Sequence, residues 1–231
     1  SIGLWELETN GVRKTYPVGH PYAGQFIPTY SNADITELAR VFTGLTWADS
    51  IGFNPSNLTN GDRLHPMKIW DAYHDCDAKT LLGGLSLPAR TASPGNTGTA
   101  GALDIDAAVT NLFNHPNVGP FIAFRLIQRF VTSNPSHDYI GRVAAKFNNN
   151  GSNVRGDMKA VIKQILMDPE ARDPAMMDSP TFGKLREPFL RVVNLARAFN
   201  AASTSGHYPL DQFNLVTVRV FDEGNHRRAM L

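Results

Sequence analysis

The stretch that decides the fold class is residues 102–131, which read ALDIDAAVTNLFNHPNVGPFIAFRLIQRFV. Its second part, 121–131, is apolar nearly all round, which is typical of a helix at the centre of a core. His115 and Pro116 separate the two parts, and proline cannot continue a helix because it lacks the amide hydrogen. The stretch therefore predicts two consecutive helices. The first carries an apolar stripe of Leu103, Ile105, Ala108, Val109, Leu112 and Phe113.

Helical patterns also lie on both sides of this stretch. Ser31 can cap a helix that ends at Gly44, because the first amides of a helix lack backbone partners. By contrast, residues 49–101 are rich in Gly, Pro, Ser, Thr and Asn and predict a long irregular loop. Three further patterns at helical spacing predict helices at 135–147, 158–166 and 183–201.

The end of the chain has a different pattern. Val216, Val218 and Val220 alternate with other residues, which is the period of a strand. We expect residues 1–208 to form a mostly helical domain and residues 209–231 a tail with one short strand. The predicted fold is mainly α: a single-domain helical bundle of five to seven helices with long irregular loops.

Composition excludes several classes of protein. With 22 Lys and Arg against 21 Asp and Glu, the formal net charge is +1, so the charge excess typical of nucleic-acid-binding proteins is missing. No apolar run approaches the roughly 20 residues that a membrane span needs. A single cysteine, Cys76, cannot form an intrachain disulfide. We expect a small-molecule or saccharide substrate, no nucleic acid and no membrane span.

The densest polar cluster lies in the loop-rich stretch. His65, His74, Asp75, Asp77 and Lys79 fall there within fifteen positions. Carboxylates and imidazoles together can hold a divalent cation, calcium or zinc, and lower the pKa of its bound water. We therefore predict His65, His74, Asp75 and Asp77 as metal ligands, although their spacing matches no standard metal motif. The alternative is that His74 and Asp75 pin the loop, together with an arginine from a nearby helix.

Residues of the helical part are further candidates. His115, together with His74 and Asp75, is a candidate catalytic residue; at a helix end it can instead bind terminal carbonyls. Arg125 and Arg129 are four positions apart and share one helix face, where they could bind an anionic group of a substrate or cofactor. The alternative for these arginines is a buried ion pair with one of three carboxylates, Glu187, Asp157 or Asp75.

Six strings of residues carry a resemblance to a known family. They are SIGL at 1–4, ARVFTG at 39–44, NHPNVGPFI at 114–122, RLIQRFVTSNP at 125–135, RGDMKAV at 155–161 and GKLREP at 183–188. In these strings the chain resembles the bacterial family of domain of unknown function 1800, over residues 1–208. The resemblance implies a helical fold and an association with secreted, periplasmic or envelope proteins, but no reaction. We expect no signal peptide in this sequence, because residues 1–7 lack a basic region followed by an apolar region.

Family members are also longer than this chain. We therefore expect residues 1–208 to be part of a longer domain, with a divergent tail after residue 208. A partial domain would expose apolar residues near its start, such as Leu4 and Trp5, and such patches favour association into homo-oligomers.

Two functions follow from these residues. The first is a hydrolase of the esterase or lactonase type, in which a metal or a histidine at the His/Asp-rich loop activates a water molecule. The alternative is a non-catalytic binding or scaffold module of a bacterial secreted or envelope system, which recognises a polysaccharide or a protein. Aromatic residues such as Trp5, Trp47 and Trp70 would supply its contact surface.

Overall fold

The computed structural model describes residues 2–48, 50, 51, 53, 62, 64–93, 97–185 and 187–200. Within these residues the fold is mainly α, as predicted. The predicted strand at 216–220 and the tail at 209–231 lie outside the described residues. The helices are α1 (Asn32–Val41), α2 (Thr99–Asn114), α3 (Val118–Phe130), α4 (His137–Asn148), α5 (Met158–Met167), α6 (Pro169–Arg172) and α7 (Pro188–Ala198).

The loop-rich stretch contains two small antiparallel sheets. In the first, β1 (Leu45–Thr46) pairs with β2 (Lys68–Ile69). In the second, β3 (Lys79–Leu81) pairs with β4 (Leu85–Leu87). Because each strand is only two or three residues long, these sheets gave no periodic signal in the sequence.

The described part of the chain divides into two compact units. Unit 1 comprises the described residues within 1–125 and 137–164, and unit 2 comprises the described residues within 126–136 and 165–231. No helix within the described residues combines the length and the apolar composition that are needed to cross a membrane.

The hydrophobic core of unit 1 contains Val41 of α1, Leu81 of β3, Leu87 of β4 and Ala108 of α2. Helix α1 begins at a capping box, in which Ser31 and Asp34 satisfy each other's backbone amides. Burial of these apolar side chains stabilises the fold by about 25 cal/mol for each Å² of apolar surface removed from water. This core therefore fixes α1 and α2 against the β3–β4 hairpin.

The N-terminal segment of unit 1 is held by one buried side chain. Asn117, which precedes α3, accepts a hydrogen bond from the Leu7 amide and donates to the carbonyls of Ile2 and Trp5 and to the Thr29 hydroxyl. Backbone bridges between residues 5–7, 13–15 and 26–28 complete the segment. A buried amide with all of these partners satisfied fixes a single geometry for the segment.

Helix α3 differs from its prediction. Ala123 and Ile127 are buried, whereas Arg125, Arg129 and Phe130 are exposed. The expectation of a helix at the centre of a core is met on one face only, and α3 is amphipathic. A run of apolar residues cannot show which of them face solvent, because that depends on the tertiary contacts of the helix.

Unit 2 has its own hydrogen bonds. The buried Thr132 hydroxyl accepts from the Gly183 amide and donates to the Gly183 carbonyl, at 3.1 and 3.2 Å. Ser136 donates to Glu170 through both its amide and its hydroxyl group. Pro188 stands in the first turn of α7, as predicted, because that position has no amide partner to lose.

Candidate functional site

A buried ionic cluster joins α2 to the loop-rich stretch, and we call it the Asp104 network. It consists of Asp104 on α2 together with His74, Lys79 and Arg90. Lys79 Nζ donates to Asp104 Oδ2 at 2.8 Å, and Arg90 Nε donates to the other carboxylate oxygen. The side chains of Asp104, His74 and Lys79 are fully buried. A buried carboxylate is tolerated here because cationic donors surround it.

The charge of Asp104 is maintained by its partners. Burial acts to raise the pKa of this carboxyl group, but hydrogen bonds from Arg90, Lys79 and His74 outweigh burial, and the pKa lies below its ordinary value. Lys79 also donates to the carbonyls of Asp75 and Asp77, so its ammonium group has three acceptors.

His74 lies inside the network, with both ring nitrogens near protein acceptors. Nδ1 lies 3.1 Å from the Thr43 carbonyl oxygen and 3.4 Å from the Thr43 hydroxyl group. Nε2 faces Asp104 Oδ2 at 3.3 Å. A general base or a metal ligand needs a free lone pair directed at its substrate or ion. This arrangement favours the alternative in which His74 pins the loop, and its catalytic role remains a prediction.

Asp75 lies at the edge of the network, where it pairs with α1. Arg40 donates to it through Nε and Nη2, at 2.7 and 3.1 Å. The hydrogen bonds from Arg40 lower the pKa of Asp75 to about 2. On the same helix Glu37 accepts from the Thr80 amide of β3 at 3.0 Å. Asp75 is thus held by an arginine from a nearby helix. This is the arrangement expected if His74 and Asp75 pin the loop and do not bind a metal ion.

Asp71 caps α2 from outside the helix. It is buried, and its Oδ2 accepts from the amides of Ser93 and Gly98 at 3.2 and 3.1 Å. Gly98 is the N-cap of α2 and has a left-handed φ of 77°. A carboxylate at this end of a 16-residue helix is favourable because the terminal amides and the helix dipole both attract negative charge.

The four predicted metal ligands do not share one site. His65 pairs with Asp62 at 2.6 Å, while His74 and Asp75 belong to the contacts described above. Asp77 is exposed, and its amide donates to Asp75 Oδ1. Over the described residues, no three His, Cys, Asp or Glu side chains come together as a group that could hold a metal ion. The divalent cation remains a prediction.

The other predicted residues lie elsewhere. His115 ends α2, and its Nδ1 accepts from the Asn117 amide at 3.2 Å. Arg129 pairs with Glu187, one of the three carboxylates named for it, but the pair is exposed rather than buried. The Arg125 guanidinium lies over the rings of two residues of its own helix, Phe121 and Phe124. Binding of an anion by these arginines stays a prediction.

Unit 1 also contains an apolar groove of about 550 Å³, which we call the α1–α2 groove. Several of its apolar side chains remain exposed although their elements are packed: Ile35 is 51 %, Val109 53 % and Phe113 41 % exposed. Pockets of this size and character are typical sites for small ligands. The lining residues are Ile2, Tyr30, Asp34, Ile35, Leu38, Leu81, Leu82, Val109, Asn111, Leu112, Phe113, Val118 and Ile122.

The comparison with known families identifies the family of this chain. A family model described as "Protein of unknown function (DUF1800)" matches residues 4–224. The chain belongs to this family. The DUF1800 match continues past Tyr208 into the tail for which the sequence alone showed no resemblance. Comparisons with curated proteins and with solved structures found no match. Since the DUF1800 description names no reaction, the functional argument depends on the geometry of this chain.

Sequence reasoning missed the central residue of this region. In the sequence, Asp104 interrupts an apolar stripe, and a charged residue there resembles a solvent-facing position. One signal was available, because Asp104 stands four positions before Ala108 and so shares a helix face with a residue predicted to be in the core. A charge on a core face needs buried partners.

Proposed function

We propose that this protein is a non-catalytic binding module whose α1–α2 groove takes up a small apolar molecule. The observation that carries the proposal is the groove itself, with Ile35, Val109 and Phe113 exposed along its walls. Apolar surface left open in this way gains about 25 cal/mol per Å² when a ligand covers it. The few polar groups of the lining would then orient the ligand.

Preorganised walls support this proposal. Glu37 joins α1 to β3, and the Lys79–Asp104 ion pair joins β3 to α2. These three elements carry most of the groove lining, so the two contacts fix the positions of the walls relative to one another before a ligand arrives. A preformed site costs less conformational entropy on binding. In this proposal the Asp104 network is the scaffold of the groove.

The proposal is tested with a neutral fluorophore that brightens in apolar surroundings, N-phenyl-1-naphthylamine. We expect the wild-type protein to bind it saturably. Val109→Trp places a large side chain at the groove wall and should weaken binding about tenfold, which corresponds to about 1.4 kcal/mol. The matched control is Leu103→Trp, because Leu103 lies on the same helix, is 49 % exposed and does not line the groove.

Two results would contradict the binding module. Either the wild-type protein fails to bind the fluorophore, or the two tryptophan variants bind it equally well. Circular dichroism of both variants checks that they are folded.

The hydrolase of the sequence analysis remains a separate prediction with its own test. Purified protein is incubated with a panel of esters and lactones, with and without a chelator. Turnover that disappears with chelator and returns with calcium or zinc would support the hydrolase. Absence of turnover in every condition would leave the binding module as the better account of the groove.

A further inference from the structure

We infer that the α1–α2 groove selects amphiphiles with a cationic, hydrogen-bond-donating head, of the alkylammonium class, over those with a carboxylate head. This inference rests on the proposed function, because it uses the same groove. It concerns the head of the ligand, whereas the proposed function concerns only its apolar body.

The charge of the groove lining comes from Asp34. It is the one charged residue among the described side chains that line the groove, and none of the ion pairs between described residues includes it. The Ser31 hydroxyl and amide donate to Asp34 Oδ2 at 2.6 and 2.7 Å. These hydrogen bonds lower the pKa of Asp34, so the group is a carboxylate at neutral pH. The lining therefore attracts cations and repels anions.

The neutral polar groups of the lining point to the same ligand. Asn111 donates from Nδ2 to the Leu82 carbonyl at 3.1 Å, and a carbonyl can only accept, so the orientation of the amide is fixed. Its Oδ1 acceptor is the atom left for a ligand, since no described residue donates to it. The Tyr30 hydroxyl, also in the lining, can donate or accept.

The hydrogen-bond donors and acceptors of the lining distinguish between ammonium, carboxylate and alcohol head groups of a ligand. An ammonium group has three donors and no acceptor, which suits the carboxylate of Asp34 and the carbonyl of Asn111. A carboxylate head has no donor; it would find one possible donor at Tyr30 and would meet the like charge of Asp34. An alcohol head fits either way but gains no charge attraction.

The experiment compares three probes of equal chain length, decylammonium, decanol and decanoate, as competitors of N-phenyl-1-naphthylamine in the full chain at neutral pH. We expect decylammonium to displace the fluorophore at a concentration about fivefold to tenfold lower than decanol, and decanoate to be the weakest. Asp34→Asn should bring decylammonium to the level of decanol. Asp106→Asn, which removes an exposed charge outside the groove, should leave the order unchanged.

A second measurement needs no variant and so stays valid if Asp34→Asn fails to fold. Raising the salt concentration should weaken decylammonium binding to the wild-type protein and leave decanol binding unchanged, because salt screens charge attraction. Equal competition by all three probes, or salt-independent binding of decylammonium, would overturn the inference and leave the proposed function standing. If the fluorophore itself does not bind, the proposed function fails first.

Discussion

Asp104 shows how one residue determines the charge balance of a buried region. Its two oxygens contact three basic side chains from the loop-rich stretch, so this one residue ties three positions of the loop to α2, in addition to the Asp71 contacts at the start of the helix. Removing the carboxylate would take away the 2.8 Å ion pair of the buried Lys79, whose other carboxylate partner, Asp75 Oδ1, lies 4.0 Å away. An uncompensated buried charge costs far more than an exposed ion pair contributes.

We therefore predict that Asp104→Asn lowers the free energy of unfolding by about 3–5 kcal/mol, as for other broken buried ion pairs. Urea unfolding followed by circular dichroism measures the change. The control is Asp106→Asn, two positions along the same helix and exposed, which should change stability by less than about 0.5 kcal/mol. Equal stability of the two variants would show that the network contributes little.

His115 makes stability depend on pH in the mildly acidic range. Burial lowers the pKa of this histidine below its ordinary value of 6.5. At a pH between the lowered pKa of the folded protein and 6.5, His115 binds a proton in the unfolded chain but not in the folded protein. The unfolded state is therefore favoured as pH falls. We predict that stability decreases as pH drops below 6.5.

His115→Asn should flatten this dependence, because asparagine keeps an acceptor for the Asn117 amide and does not titrate. Unfolding free energies measured between pH 7 and pH 5 test the prediction. His20→Gln, at an exposed position, is the control and should follow the wild-type curve. Parallel curves for wild-type and His115→Asn protein would assign the dependence to other groups.

At the scale of elements, α2 shows which structural features can be predicted from the sequence and which cannot. The helix and its end at His115 could be predicted from the apolar spacing and from Pro116. Its buried face could not, because the fully buried residues are small or charged, Ala100, Gly101, Asp104 and Ala108. The large apolar residues Val109 and Phe113 are exposed at the groove instead. The helical spacing of apolar residues alone cannot distinguish a face that packs in the core from a face that binds a ligand.

The candidate site depended even more on tertiary contacts. In the sequence, His74 and Asp75 are candidates because they belong to a dense cluster of polar residues along the chain. Their partners Thr43, Arg40 and Asp104 are about 30 positions or more away, so the roles of these residues could not be determined from spacing. The groove combines α1, β3, α2 and α3, and no single motif encodes it.

Close packing of α2 on β2 gives a prediction of its own. A Cβ at Gly101 would lie 2.7 Å from Ile69 Cγ2 and 3.3 Å from the His74 ring. Alanine normally stabilises a helix by up to about 1 kcal/mol relative to glycine. Here the clash with a branched side chain should outweigh that gain, and we predict that Gly101→Ala destabilises the protein by about 1–3 kcal/mol.

The matched control is Gly141→Ala in α4. A Cβ there meets Asn10 at an ordinary 3.4 Å, so this substitution should stabilise the protein or leave it unchanged. Thermal unfolding of both variants provides the comparison. Stabilisation by Gly101→Ala would mean that α2 and β2 are less closely packed than the structure shows.

At the scale of the whole molecule, the loss of stability in acid follows from carboxylates whose charged form interacts more favourably with donors of the folded protein than with water. Their pKa values lie below the ordinary values because side-chain or backbone donors hold the charged form. Such a group contributes stability above its unfolded pKa and loses it as pH falls through its folded pKa. The described residues in this class are Asp34, Glu37, Asp62, Asp75, Asp104, Asp157 and Glu187.

These carboxylates predict a second pH window, distinct from that of His115. For Asp75 the ordinary pKa is 3.8 and the folded value is about 2, so its contribution is complete above about pH 4 and is lost between pH 4 and pH 2. Asp75→Asn should therefore lower the unfolding free energy at pH 7 and make its decline below pH 4 shallower. Asp77→Asn, exposed and two positions away, should leave both unchanged. If Asp75→Asn instead ran parallel to wild type below pH 4, the Arg40–Asp75 pair would not be a source of acid sensitivity, and the remaining carboxylates would account for the whole slope.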